Sequence, residues 1–160
     1  MVHQVSRFSD AFMAWESWNL SSYEFKSKCL LSFKSRLLSY SPFLADVVEY
    51  QLNCAEPFIA QVHQLTGATG ETNELYTAGR GVALLIQRAD GHQAGVAMMA
   101  QLIAVVSAGN SVIVCSDDRE LTEMLNTVIA ESTLPAHLIQ ITSYDAHDSL
   151  LSSDIRNVGY

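Results

Sequence analysis

Between Thr77 and Thr142 the chain alternates short apolar runs with longer helical ones. Gly81–Gln87 (GVALLIQ) is a compact aliphatic run. Ala94–Ala108 (AGVAMMAQLIAVVSA) is apolar on nearly every face and stops at Gly109-Asn110. Ser111–Cys115 (SVIVC) is β-branched, Asp118–Ser132 (DRELTEMLNTVIAES) is amphipathic, with Asp117 able to cap it and Glu120 three residues on in capping-box spacing, and His137–Thr142 (HLIQIT) is again β-like. Strands that alternate with helices in this way predict βαβ units on a buried parallel sheet. Right-handed crossovers then give a Rossmann-like α/β core. Tyr144–Leu151 reads as a short helix and Asp154–Tyr160 (DIRNVGY) as a fourth strand. The expected fold class is a three-layer α/β arrangement on about four parallel strands, with an N-terminal helical layer.

The first 66 residues carry a different period. Residues 1–8 read as a loose tail. Ser9-Asp10 can cap a short helix over Ala11–Trp18, and Ser21-Ser22 a second from Tyr23 to Ser39. In the second, Leu30, Phe33 and Leu37 repeat at helical spacing. Ser41-Pro42 opens a third, since proline fits a first helical turn. Its apolar positions run from Leu44 to Val62, Pro57 is expected to kink or divide it, and Thr66-Gly67 to end it. The organisation expected is a helical segment over 1–66, a polar linker over 67–80 and an α/β core over 81–160, all in one domain.

Composition narrows the partners. Net charge is −8, which disfavours nucleic acid and anionic membrane. No apolar run reaches the length of a membrane span, and the N-terminus has no signal-like apolar stretch. Three widely spaced cysteines suit a reducing cytoplasm. An apolar fraction of 49% with only 16% charged residues points to a surface buried by a homo-oligomer or another protein.

Several segments, taken in order, resemble the N-terminal part of the aldehyde dehydrogenase superfamily, in particular its delta-1-pyrroline-5-carboxylate dehydrogenase branch and the related modules of bifunctional proline-catabolic enzymes. Phe8–Trp15 resembles the family's early Ala-Phe-x-x-Trp element. Thr66–Glu74 (TGATGETNE) is similar to a Gly-Pro-Thr-Gly-Glu-x-Asn linker. Arg80-Gly81-Val82 resembles the Pro-x-Gly-Val entry to the first strand, and Ser107–Val114 (SAGNSVIV) the Ala-Ala-Gly-Asn-x-Val-Val motif. Leu134-Pro135 and Asp154–Tyr160 match a Leu-Pro and an Asp-Ile-x-x-Val-x-Phe in the same order. The resemblance spans nearly all of this chain and about the first third of a full-length enzyme. It implies that the phosphate-cradling Thr-Gly-Ser turn, the catalytic cysteine and the glutamate base fall beyond Tyr160.

Two departures bear on chemistry. Where the family's Lys-Pro-Ser-Glu grips the adenosine ribose, this chain has Cys115-Ser116-Asp117-Asp118, with no lysine and two carboxylates that repel a dinucleotide phosphate. Where the family's Pro-Trp-Asn-Phe-Pro loop donates an amide to an oxyanion, this chain reads Arg88-Ala89-Asp90-Gly91-His92, and an ionised Asp90 only accepts. Arg88, Asp90, Cys115, Ser116, Asp117 and Asp118 are therefore expected to be the remnant of a cofactor site. No residue is assigned a catalytic or metal-binding role. Cys115 lacks a cation to activate it, so a packing residue outweighs a nucleophile. Asp145, His147 and Asp148 lack metal-ligand spacing, and Asp90 with His92 reads as a solvated loop before an acid–base pair.

The function expected from the sequence is a protein related to pyrroline-5-carboxylate dehydrogenase, catalytically incomplete, acting in the cytoplasm as an accessory or oligomerising module of proline catabolism. It needs no cofactor for that role. The alternatives are a protein that binds NAD(P) or a small metabolite, and one half of a split aldehyde dehydrogenase.

Overall fold

A computed structural model describes residues 2–160, with side chains from Val5 onward. Four parallel strands form the central sheet: β3 (Val82–Gln87), β4 (Ser111–Ser116), β5 (Ile139–Thr142) and β6 (Asn157–Gly159), in the order β5-β4-β3-β6. Val82 pairs with Ser111, Val112 with Ile139 and Ala83 with Asn157. Every residue of β3 and β4 is buried, as a parallel sheet covered on both faces requires. Strands β3, β5 and β6 lie within the runs read as strands in the sequence, and β4 runs one residue past its run, to Ser116. The chain builds leftward from β3 to β5, then crosses to β6 on the other side of β3.

Strand alternation divides the core in two. Ala83, Leu85, Val112 and Val114 face helices α2 (Tyr23–Leu37), α3 (Pro42–Ile59), α4 (His92–Ser107) and α5 (Arg119–Glu131). Val82, Leu84, Ile86, Ile113 and Cys115 face α1 (Val2–Leu20) and α6 (His147–Leu150). Ser22 and Ser41 cap α2 and α3 through their side chains, and Pro42 opens α3.

Three expectations about the N-terminal half are corrected. Residues 2–8, read as a tail, belong to α1, and Ser9-Asp10 lie inside that helix instead of capping it; Met1 lies outside the described residues. Tertiary contact wins here over weak local propensity. Phe8, Ala11 and Phe12 pack on the sheet, the Arg7 guanidinium donates to the Ile141 carbonyl at 3.1 Å, and Gln140 donates to the Arg7 carbonyl at 2.9 Å. Helix α3 is not divided at Pro57: it runs through it and ends at Ile59, before Val62 and Thr66. The segment beyond, read as helix end and linker, holds an antiparallel hairpin of β1 (His63–Leu65) and β2 (Asn73–Leu75), with Gln64 bonded to Glu74 across it at 3.0 Å. Three-residue strands leave too little alternation to be visible in sequence.

Candidate functional site

In an open parallel sheet, ligands gather at the carboxyl ends of the strands near the switch in strand order. Here that switch lies between β3 and β6. Gln87 ends β3 and Ser116 ends β4, paired in register. The Ser116 hydroxyl donates to Gln87 Oε1 at 3.2 Å and accepts from the Asp118 amide at 3.1 Å. Asp118 Oδ1 accepts from the Leu121 amide at 3.1 Å and so caps α5. The sequence reading gave this cap to Asp117, with Glu120 completing a capping box. With the cap one residue later, Glu120 is only the second helical residue and the box lapses. Asp117 instead reaches across to the turn after β5, where its Oδ1 accepts from the Tyr144 amide at 3.0 Å. Both carboxylates are thus bonded to backbone.

Cys115 precedes this cluster and points the other way, into the α1 face of the core with no exposed surface. Burial pushes its thiol up to about 12; the Arg7 charge pulls it down and Asp117 adds to the rise. The sequence reading saw no cation near Cys115, because Arg7 sat in the supposed tail. Desolvation outweighs that cation, so the thiol stays protonated and inert at neutral pH.

Arg88 and Asp90 lie exposed in the loop after β3 and make no hydrogen bond among the described residues. They do not join Cys115–Asp118 in one constellation. His92 begins α4 with its ring 4.8 Å from that of Phe43 and has no bond to Asp90. His147 is committed locally: Nδ1 lies 2.6 Å from the Tyr144 carbonyl and Nε2 3.3 Å from Asp148. Among the described residues no group of three His, Cys, Asp or Glu side chains is placed to hold a metal ion.

A cavity of about 220 Å³ opens where α3, α4 and α5 begin, lined by Ser41, Leu44, Gly91, His92, Gly95 and Asp118 among others. Gly91 stands at φ 91° as the N-cap of α4 and provides no side-chain cap, so the first turn keeps free amide donors. A Cβ at Gly95 would meet only Leu121 Cδ1, at 3.9 Å. At the end of β3, Gln87 is 7% exposed and its Nε2 has no partner among the described residues. Sequence reasoning missed Gln87, because one polar residue closing a strand looks like its solvent end; here it is buried and bonded to Ser116.

The most specific sequence motif lies at the opposite edge. Asn110 is buried; its Oδ1 accepts from the Arg80 and Gly81 amides at 2.7 and 3.2 Å, and its Nδ2 donates to the Val105 carbonyl at 3.1 Å. Gly109 sits at φ 95° against Gly79, where any Cβ would collide with the Gly109 carbonyl. Asn19 Oδ1 takes the Gly79 amide at 2.6 Å. The Gly-Asn pair therefore ties the end of α4 to the entry of β3, an architectural role remote from the carboxyl edge.

No protein-family model and no curated protein matches the chain. Solved structures do match. A proline utilization A (PutA) from Bradyrhizobium japonicum superposes with a TM-score of 0.83 at 19% identity, over 98% of this chain and 19% of that one. The PutA of Bdellovibrio bacteriovorus gives 0.83 at 14% identity, over 99% of this chain and 19% of that one. A salicylaldehyde dehydrogenase from Pseudomonas putida gives 0.78 at 14% identity, over 99% and 39%. The fold is thus one found within PutA and aldehyde dehydrogenase structures, and the chain spans about a fifth of the first and two fifths of the second.

Proposed function

We propose that this chain is a non-catalytic, aldehyde-dehydrogenase-like module associated with proline catabolism, acting as an accessory and self-associating unit. The fold shared with PutA supports the pathway, and the ordered sequence motifs agree with it. The observation that carries the non-catalytic reading is the carboxyl edge itself. Asp117 and Asp118 are bonded to backbone amides, and Cys115 is buried and protonated; the sequence resemblance adds that Asp90, an acceptor, stands in the place of the family's amide donor. No described residue at this edge is an activated nucleophile, and the two carboxylates oppose a phosphate. On this reading Cys115–Asp118, expected to be part of a remnant cofactor site, is a structural cluster, and Arg88 and Asp90 stand apart in the exposed loop after β3.

Two measurements test it together. Incubating the chain with pyrroline-5-carboxylate and NAD should yield no NADH above the uncatalysed rate. Light scattering of the chain mixed with the proline-oxidising enzyme of the same source should show a complex. Turnover by the chain alone would overturn the non-catalytic part, and absence of a complex the accessory part.

A second reading has one observation in its favour. The cavity at the start of α4, with its uncapped amides, is suited to a small polar metabolite. Asp118 and Glu120 at its rim favour a neutral or cationic group over a phosphate.

A further inference from the structure

Helix α3 is apolar on two sides, and the second is covered only in part: Val47 is half-buried against the core and the Phe43 ring lies 4.8 Å from that of His92. Leu44, Ala45, Val48 and Leu52 are buried against the neighbouring helices. A second line, Phe43, Val47, Tyr50, Cys54 and Phe58, advances by three or four residues at each step, which keeps it on one side of a helix. Phe43, Tyr50 and Phe58 are 51%, 66% and 70% exposed, and Cys54 is exposed too. No charged side chain interrupts the line. Asp46, Glu49 and Glu56 fall on the other flank, where Glu49 pairs with Lys34 of α2 at 2.8 Å.

The line is symmetric about its own middle. Phe43 and Phe58 are equally distant from the point between Tyr50 and Gln51, and so are Val47 and Cys54. Such a surface is self-complementary under a two-fold axis. Reversing the helix sets Phe43 against Phe58 and Val47 against Cys54. The three aromatics offer roughly 300–450 Å² at ~150–250 Å² for a whole side chain. Tyr76 and Val62, 68% and 49% exposed, extend the patch past Phe58, whose carbonyl is 3.5 Å from the Thr77 hydroxyl. The total approaches the ~600 Å² per partner at the lower end of specific interfaces.

We propose that a second copy of this chain covers α3, antiparallel, about a two-fold axis between Tyr50 and Gln51. The dimer is weak and concentration-dependent, as its area requires. Each copy carries −8, so added salt, by screening their repulsion, strengthens it. This rests on the self-associating part of the function proposed above and names its surface. It fails separately from the non-catalytic reading, because no turnover or cofactor measurement reports on α3.

Light scattering over a concentration series, at low and moderate salt, should show the mass rising from 17.6 kDa towards twice that value. Tyr50→Glu should weaken association at least tenfold with an unchanged melting midpoint, since Tyr50 is exposed. Val47→Cys gives a geometric test. Positions 47 and 54 of one helix are ~10.5 Å apart along its axis, beyond disulfide reach, so oxidation can link Cys54 only to position 47 of the other copy. A covalent dimer should form, and Cys54→Ser in the same background should abolish it. A monomer at every concentration, a dimer indifferent to Tyr50→Glu, or oxidation of the unaltered protein through Cys54 alone would each overturn the proposal.

Discussion

Asn110 shows how a motif that looks functional is resolved at the residue scale. Its amide makes three backbone hydrogen bonds inside the protein. Asn110→Ala leaves those groups unpaired and should cost about 2–3 kcal/mol, read as a lower urea midpoint with no change in ligand response. Gly79→Ala should cost more, because a Cβ there meets the Gly109 carbonyl backbone, which has no flexible end to yield. Cys115 gives a pH prediction. Its pKa is raised from 9.0 to about 12, so between those values the folded chain keeps a proton that the unfolded chain has released. The corresponding stability is complete below about pH 9 and is lost as pH rises towards 12. An alkaline unfolding series should therefore fall less steeply for Cys115→Ala than for the native chain, and a thiol reagent should modify exposed Cys54 long before Cys115.

At the scale of elements, much was legible because the strands of a parallel sheet are continuous apolar runs. Val82–Gln87, Ser111–Ser116 and the long apolar α4 declare themselves. The serine caps of α2 and α3 were equally plain, since each hydroxyl stands just before an apolar period. What escaped the sequence depends on contacts distant along the chain. Helix α1 is held from Arg7 onward by β5, over 130 residues away. The cap of α5 was misplaced by one residue because both Asp117 and Asp118 can cap; the bond that the Asp118 amide donates to the Ser116 hydroxyl settles the register. Asp118→Ala should then cost about 1 kcal/mol. Asp117→Ala should leave α5 intact and loosen the turn at Tyr144, seen as faster amide exchange there. Of the six residues expected to mark a cofactor site, four are consecutive and so necessarily adjacent, but sequence could not show that their side chains divide between the core, a strand-end bond and two backbone contacts.

At the scale of the molecule, the fold is one found in a salicylaldehyde dehydrogenase structure, and on the function proposed above its carboxyl edge serves structure instead of a cofactor. The carboxylates that would repel a pyrophosphate instead hold a helix start and a turn in place, and the apolar surface on α3 is free to meet a second copy. The most direct measurement of that account is calorimetric titration of the chain with NAD and with NADP, alongside melting curves in millimolar cofactor. The account predicts no saturable heat and no shift of the melting midpoint. Saturable binding at millimolar or lower concentration, lost on changing Asp118 or Gln87, would contradict it and make the edge a working cofactor site.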